Sequence, residues 1–263
     1  MSAPCGLESM NVADYLLDPA RRQEYVTPVF ETVAPSYDRF TRWSTLGFDM
    51  VWKRELLSRV RRLLESDHCI VDLACGTGDL AFALASMVPR GRVIGTDITP
   101  AMLELAEAKR SKRKHANVEF RRADNMALPF ADASINVVTG SYALRNCSDL
   151  RGLLTEVHRV LKPGGCFASL ELVRPDNVLW RRLFLKGMFL ACSFHGWLWH
   201  KQPRSYGYLA ESIALFVTGS ELVRLTRAAG FADVDNRSWL GGAVSLLLAR
   251  KPVPYGRRED HVV

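Results

Sequence analysis

The stretch VDLACGTGDLA, residues 71–81, decides the fold of this protein. An apolar run leads into a turn that contains Gly76 and Gly78, and a helical pattern begins directly after it. A buried strand that enters a helix through a glycine turn is typical of open α/β sheets. The glycines lack the Cβ atom that would keep a ligand away from the backbone. We therefore expect a ligand at this turn.

Length and charge limit the possible classes of protein. The chain has 263 residues, of which 48% are hydrophobic, and these values fit one large α/β domain with a full core. The formal net charge of +7 is compatible with nucleic acid, an anionic membrane surface or an anionic substrate as partner. Composition leaves open whether the chain forms a homodimer.

Cysteine usage and the apolar segments indicate the compartment. The six cysteines form no Cys-x-x-Cys pair, which argues against a disulfide framework and for a reducing compartment. Residues 1–17 lack the basic and apolar parts of a signal peptide. Residues 183–199 are apolar, but lysine, histidine and glycine interrupt them too often for a transmembrane helix. We predict a cytoplasmic protein.

From residue 69 onward, β-rich runs alternate with helical patterns. This alternation predicts βαβ units and a parallel sheet. Near the C-terminal end, only LGG separates two further runs, which predicts a hairpin and an antiparallel strand at the end of the sheet. The predicted strands before the hairpin are 69–74, 92–97, 118–123, 135–142 and 166–172, and the predicted helices between them are 79–88, 100–114 and 149–161.

These patterns divide a single domain into five parts. The predicted fold is α/β, a doubly wound and mostly parallel seven-stranded sheet with a helical cap. The parts are a helical N-terminal segment of the cap (1–66), the ligand-binding α/β core (67–174), a helical and aromatic cap insertion (175–217), a C-terminal helix with the β-hairpin (218–251) and a tail (252–263).

Carboxylates at the ends of three predicted strands identify the ligand. GTGDLA matches the dinucleotide pattern G-x-G-x-x-A, but Asp72 precedes the glycines and would face a pyrophosphate unfavourably. Asp97 follows Gly78 by 19 residues, at the place where a carboxylate can bind both ribose hydroxyls. Asp124 closes the third strand and can accept a hydrogen bond from an adenine amino group. An adenine, a ribose and an amino-acid tail without phosphate describe S-adenosylmethionine.

Each carboxylate also has a simpler interpretation. Asp79 has the residue type of a helix N-cap, and Asp124 that of a turn. The occurrence of acidic residues at the ends of three successive strands nevertheless favours a ligand site.

Several motifs resemble those of class I S-adenosylmethionine-dependent methyltransferases, which have a Rossmann-like fold. More narrowly, the chain resembles the ubiquinone/menaquinone biosynthesis C-methyltransferases. The generic motifs are DLACGTGDLA (72–81), TDITPAML (96–103), ADNMALPFADASIN (123–136), RNCSDL (145–150) and EVHRVLKPGG (156–165); the narrower ones are VFETVAPSYDRF (29–40), WKREL (52–56), SYALRNCSD (141–149) and SYGYLAESI (205–213). The segment after residue 213 and the aromatic insertion depart from the family pattern.

The resemblance assigns the cofactor site. It implies that the glycine turn binds the methionine tail, that Asp97 binds the ribose, and that the residues after the third strand bind adenine. The predicted cofactor-binding residues are Asp72, Gly76, Thr77, Gly78, Asp97, Ile98, Asp124, Asn125 and Ser141.

Methylation of a ring carbon requires alignment and a phenolate-like acceptor. The resemblance places the acceptor near Tyr37, Arg145 and Asn146, which are the predicted catalytic residues. We expect Arg145 to stabilise the developing oxyanion, with the other two positioning the ring or a water molecule. The alternatives are a structural salt bridge for Arg145 and a core aromatic for Tyr37. His195, His200 and Glu211 are weaker candidates for a base, and no histidine–cysteine spacing predicts a metal.

Two segments leave the choice of partner open. Residues 180–199 read either as an amphipathic helix packed on the sheet or as the wall of a prenyl channel that touches an anionic membrane. The basic run 109–115 is either solvated or a contact for a lipid surface or RNA. We expect a prenylated quinol as acceptor and no nucleic acid; the alternatives are a soluble aromatic natural product, an RNA methyltransferase and a scaffold without catalysis.

Overall fold

The computed structural model describes residues 12–113, 115–200 and 203–254. Within these ranges, the side chains of residues 13, 193–200 and 203–207 are not described. The predicted base candidates His195 and His200 therefore lie outside the described side chains, as does part of the basic run 109–115.

A seven-stranded sheet organises the molecule, with the strand order β3-β2-β1-β4-β5-β7-β6. All neighbouring strands are parallel except β7, which runs antiparallel to both β5 and β6. The strands are β1 (Cys69–Leu73), β2 (Arg92–Asp97), β3 (Val118–Arg122), β4 (Ile135–Ser141), β5 (Leu161–Leu172), β6 (Ala232–Trp239) and β7 (Val244–Arg250). The predicted fold class is confirmed. The hairpin also forms, but β7 inserts between β5 and β6, so that the antiparallel strand does not lie at the edge.

Helices cover both faces of this sheet. They are α1 (Val12–Leu17), α2 (Arg22–Val33), α3 (Tyr37–Ser44), α4 (Phe48–Arg61), α5 (Asp79–Ala85), α6 (Pro100–Arg113), α7 (Leu150–Val160), α8 (Val178–His200), α9 (Pro203–Leu215) and α10 (Gly219–Ala228). The predicted strand 166–172 is longer than expected, because β5 already pairs with β4 at Leu161 and continues through the KPGG segment.

Alternation of side chains along the central strands supplies a core on each face. On β1, Val71 belongs to the cluster that packs against α7 and α10, while Ile70 belongs to the cluster that packs against α4 and α5. On β4, Val138 belongs to the first of these clusters and Val137 to the second. Successive residues of a strand point to opposite faces, so apolar runs without polar alternation fill both layers.

A third, smaller core holds the N-terminal helices together. Tyr25 and Val29 of α2 pack with Leu16 of α1 and Tyr208 of α9. The Nη1 atom of Arg22 donates to the carbonyl of Cys147 at 2.5 Å, which fastens α2 to the loop after β4. These contacts hold α1, α2 and α9 together beside the loop that follows β4.

Candidate functional site

Three adjoining cavities lie at the carboxyl ends of β1, β2 and β4. The polar cavity, named for the Asp97 and Asp124 carboxylates in its wall, spans about 640 Å³ including its open mouth. On the same measure the apolar cavity beside Arg145 spans about 620 Å³, and the smaller glycine-loop cavity beside Gly76 about 330 Å³. Tyr37 and Tyr142 line all three, and Phe30 lines the first two. These cavities lie where the strand order reverses between β1 and β4, the usual ligand position in doubly wound sheets.

The glycine turn is open towards the cavities at Gly76 and closed at Gly78. Gly76 has φ +54°, and the nearest atom to its Cβ position is a ring carbon of Tyr37 at 3.8 Å. Gly78 has φ +85°, caps α5, and its Cβ position lies 2.6 Å from the ring of Phe120. Gly76 therefore leaves room for a ligand. Gly78, which we predicted as a cofactor contact, lines none of the three cavities and instead allows the turn to pack on β3.

Asp97 holds the glycine turn while lining the polar cavity. One carboxylate oxygen accepts the backbone N–H of Gly76 at 2.9 Å and the other accepts that of Thr99 at 2.9 Å. The residue is 7% exposed, and burial raises the pKa of its carboxyl. Each oxygen of a carboxylate can accept a second hydrogen bond. Asp97 can thus orient the turn and still bind a pair of hydroxyls.

Asp72 lies beneath the turn and not in a cavity wall. Its carboxylate accepts a hydrogen bond from the hydroxyl of Thr139 on β4 at 2.8 Å. Burial raises the pKa of this carboxyl to about 7, and the backbone N–H of Ala81 is among the groups that lower it. The structure does not bring Asp72 to the three cavities; its carboxyl instead pairs with Thr139 of β4 and the backbone of Ala81 in α5.

Thr77 fastens the N-terminal helices to the glycine turn. Its hydroxyl donates to Asp38 of α3 at 2.8 Å and accepts from Lys109 of α6 at 2.7 Å. Lys109 also donates to Asp38 at 2.7 Å and to Asp79 at 2.9 Å. Lys109 is the first residue of the basic run 109–115. Because such runs are usually solvated, the sequence gave no sign of this hydrogen-bond network.

The remaining predicted cofactor residues line the expected cavities. Ile98, Asp124 and Asn125 line the polar cavity. Ser141, with Thr77 and Gly76, lines the glycine-loop cavity. The Asp124 carboxylate accepts the backbone N–H of Met126 at 2.9 Å, which is the turn-forming role considered as the alternative.

Arg145 lines the apolar cavity but is also part of a buried ion pair. One terminal nitrogen contacts the carboxylate of Glu171 on β5, and Nε donates to the hydroxyl of Ser212 on α9 at 3.0 Å. The backbone N–H of Arg145 donates to Glu171 at 3.1 Å. The salt bridge considered as the alternative is therefore present, and the guanidinium is held against the cavity rather than free within it.

Asn146 and Tyr37 lie on the walls that join the cavities. The Asn146 side chain accepts from the Tyr208 hydroxyl at 2.6 Å and lines the polar cavity. Burial raises the pKa of Tyr37 to about 12. The three residues predicted as catalytic thus come together around the boundary between the polar and the apolar cavity.

Sequence reasoning missed three groups at this boundary. Glu171 and Ser212 hold Arg145, and Tyr142 presents a buried ring to all three cavities. Glu171 lies within the otherwise apolar strand CFASLEL. A buried glutamate needs a cationic partner, and this was the one local sign of the ion pair.

Comparison with known proteins identifies the family. Residues 19–251 match the model of the ubiE/COQ5 methyltransferase family. The chain belongs to this family. It is a methyltransferase with the seven-stranded fold of S-adenosylmethionine-dependent enzymes.

Curated relatives of this methyltransferase cover most of its length. The demethylmenaquinone methyltransferase of Lactococcus lactis is 34% identical over 87% of this chain and 90% of its own, and that of Lactiplantibacillus plantarum is 36% identical over 84% and 93%. The ubiquinone/menaquinone biosynthesis C-methyltransferase UbiE of Francisella tularensis subsp. novicida is 34% identical over 88% of this chain and 92% of its own.

Solved structures agree on the fold. A SAM-dependent methyltransferase from Aquifex aeolicus superposes with a TM-score of 0.58 at 18% identity, over 84% of this chain and 98% of that one. The [4+2]-cyclase SpnF gives a TM-score of 0.61 at 18% identity, over 88% and 96%. Among the described residues, no helix has the length and apolar character needed to cross a bilayer.

Proposed function

We propose that this methyltransferase transfers a methyl group from S-adenosylmethionine to a ring carbon of a prenylated quinol. The observation that carries the proposal is the contact between two unlike cavities. A polar cavity with carboxylates at its walls adjoins an apolar cavity beside Arg145, and Tyr37 lines both. The names of the curated relatives support a quinone-type acceptor.

The residues of the polar cavity fit the adenosyl part of this cofactor. Asp97 can accept from the ribose hydroxyls, and Asp124 and Asn125 can pair with the adenine edge. The open Cβ position of Gly76 leaves space for the methionine tail in the glycine-loop cavity, which Ser141 and Thr77 also line. When bound, the cofactor supplies an electrophilic methyl group on a sulfonium.

The apolar cavity fits a hydrophobic ring with a few oxygen atoms. Its wall combines aromatic and aliphatic side chains with a small number of hydroxyl groups, the composition expected of a small-molecule site. The lining residues include Val29, Phe30, Val33, Phe40, Leu172 and Leu209. A soluble aromatic acceptor would meet the same ring pocket.

The protein contributes alignment and charge. Holding donor and acceptor at attack distance is worth up to roughly 7–11 kcal/mol. Arg145, fixed by Glu171, can stabilise negative charge on an acceptor oxygen, an interaction that strengthens as the ring becomes phenolate-like. Tyr37 and Asn146 are placed to orient the ring at the cavity boundary.

We infer peripheral contact with an anionic membrane through α8. This helix exposes Leu179, Leu183 and Leu190, with exposed fractions of 78%, 64% and 59%. The exposed side chains of Arg182 and Lys186 lie on the same helix. An apolar face flanked by cations is typical of interfacial helices, and a prenylated acceptor resides in the bilayer.

The decisive experiment is an acceptor comparison with purified protein. A prenylated quinol in detergent and a tail-less ring of the same head group are each incubated with labelled S-adenosylmethionine, and the products are analysed by mass spectrometry. We expect a mass gain of one methyl on a ring carbon, with the prenylated acceptor preferred. Equal turnover of the tail-less ring would favour a soluble acceptor, and methylation of oxygen would contradict the proposal.

A further inference from the structure

Tyr142 lines all three cavities, and its hydroxyl is buried without a partner. Tyr142 is 7% exposed, and its hydroxyl makes no hydrogen bond to any group that the structure describes. Buried polar groups in folded proteins are nearly always paired. An unpaired hydroxyl in a cavity wall therefore indicates a group whose partner arrives with a ligand.

The backbone at Tyr142 is held in a conformation that a bulky residue rarely adopts. Its φ is +59°, in the left-handed region. The backbone N–H donates to the carbonyl of Leu170 at 2.8 Å, and the backbone carbonyl accepts from the Asn146 side chain at 3.4 Å. The surrounding structure thus enforces this conformation, as is common at functional sites.

Three other hydroxyls in the wall of the apolar cavity already donate to protein groups. Ser44 and Thr45 donate to the carbonyl of Thr41 at 3.1 and 2.8 Å, and Tyr208 donates to Asn146 at 2.6 Å. Arg145 is bonded to Glu171 and Ser212. Among the described hydroxyl groups of this wall, that of Tyr142 is the one found buried without a hydrogen-bond partner, so it can donate to a ring oxygen.

We propose that the Tyr142 hydroxyl donates a hydrogen bond to a ring oxygen of the acceptor and selects rings that carry this oxygen. The inference rests on the proposed function, since it takes the apolar cavity as the acceptor site. Burial raises the pKa of the Tyr142 phenol well above 10, so the group stays protonated and can donate. Together with Arg145, it gives an acceptor oxygen one neutral and one cationic partner.

The test uses Tyr142→Phe, which keeps the ring and removes only the oxygen. Calorimetry in the presence of S-adenosylhomocysteine compares two naphthalene ligands with the same short alkyl tail, one bearing the two quinol hydroxyls and one bearing none. We expect the natural chain to prefer the dihydroxy ligand, and the Phe variant to lose about 10-fold of that preference. The ligand without hydroxyls should bind both proteins equally.

Two further measurements distinguish a ligand contact of Tyr142 from a structural role. Removal of an unpaired buried hydroxyl should leave the melting temperature unchanged or raise it, whereas loss of a structural hydrogen bond would lower it. S-adenosylhomocysteine affinity should stay within about threefold. Tyr25→Phe is the matched control, because Tyr25 is a buried tyrosine that lines none of the three cavities.

The outcomes distinguish this inference from the proposed function. Equal losses for both naphthalene ligands, or a loss confined to the cofactor product, would overturn the role of Tyr142 while quinol methylation by the natural chain stands. A Tyr142-dependent preference for hydroxylated rings without methylation of any quinol would support the contact and contradict the proposed function. If the natural chain binds neither naphthalene ligand, the role of Tyr142 is overturned, while the acceptor comparison still decides the proposed function.

Discussion

Arg145 and Glu171 form an ion pair that is almost completely removed from solvent, with exposed side-chain fractions of 4% and 1%. Burial raises the pKa of Glu171, and the neighbouring Arg145 guanidinium opposes this shift. Burying two charges is costly, and a pair of this kind is weak evidence for stability by itself. Arg145 lines the apolar cavity, and we propose that its charge serves the acceptor there.

Replacement of Arg145 tests this directly. Arg145→Ala should lower kcat by at least about 100-fold, by analogy with the loss of one oxyanion donor. Cofactor affinity should change by no more than about threefold, because Arg145 lines the apolar cavity, whereas Asp97, the proposed ribose partner, lines the polar one. Arg145→Lys should recover only part of the rate, since an ammonium lacks the planar fork. Single-turnover rates at saturating cofactor provide the measurement.

Arg145→Ala leaves a buried carboxylate unpaired, which costs about 3–5 kcal/mol of stability. A double variant, Arg145→Met with Glu171→Leu, is the matched control because it removes both charges. We expect the double variant to have a melting temperature near that of the natural chain and still to be inactive. Normal turnover by a well-folded double variant would show that the pair is only structural.

Asp97 should be the main determinant of cofactor affinity. A hydrogen bond to a charged group contributes roughly 1.5–3 kcal/mol, so Asp97→Ala should weaken binding about 10- to 150-fold. Calorimetric titration with S-adenosylmethionine measures the effect, and NAD should not bind to the natural chain. Asp132→Ala is the control, because that carboxylate is 80% exposed and pairs with Arg159 away from the cavities. An unchanged dissociation constant for Asp97→Ala would place the ribose elsewhere.

Lys109 should stabilise the closed arrangement of α3 on the glycine turn. Its partners Asp38 and Asp79 are partly exposed, at 38% and 36%, so the pairs contribute only modestly. Lys109→Met should weaken cofactor binding about fivefold and speed proteolysis between α3 and α4. Lys112→Met, on the solvated side of the same helix, should change neither property. Equal behaviour of the two variants would rule out a role for the network.

Asp72 should make stability depend on pH. The folded protein raises the pKa of this carboxyl to about 7, whereas an unfolded chain releases the proton near about pH 4. The contribution of Asp72 is therefore fully present below about pH 4 and is lost as the pH rises towards 7. Asp72→Asn should flatten the decline in the free energy of unfolding over this range. If the free energy of unfolding depends on pH in the same way for the variant and the natural chain, the pKa of Asp72 is not raised.

Vesicle binding should depend on α8. Leu183→Asp and Lys186→Glu should each reduce binding to vesicles that contain phosphatidylglycerol by about fivefold or more. The first variant loses apolar burial, and the second loses attraction to anionic lipid. Val253→Asp is the control, because Val253 is equally exposed, at 67%, but lies outside α8. Cosedimentation gives the partition constants. Undiminished binding of both α8 variants would contradict the inferred membrane contact.

The order of strands and helices follows from local periodicity, which explains why it could be predicted. Strands such as β2 and helices such as α6 depend on their own apolar spacing and on turn residues close to them. The predicted start of the fifth strand at residue 166 was wrong, because Leu161 pairs with Ile135 and β5 begins there. A partner distant in the sequence decided that boundary.

The sequence by itself determined the class of fold, the open glycine turn and the carboxylates at the strand ends, because all of these are set within a few residues of backbone. The tertiary structure alone decided what Arg145 and Thr77 contact. Glu171 lies 26 residues from Arg145, Ser212 lies 67 away, and Asp38 lies 39 from Thr77. Such pairs form only after the sheet has assembled and the helices α3 and α9 cover it. For the same reason, only the folded chain shows that Asp72 pairs with Thr139 and that the hydroxyl of Tyr142 is buried without a partner among the described residues.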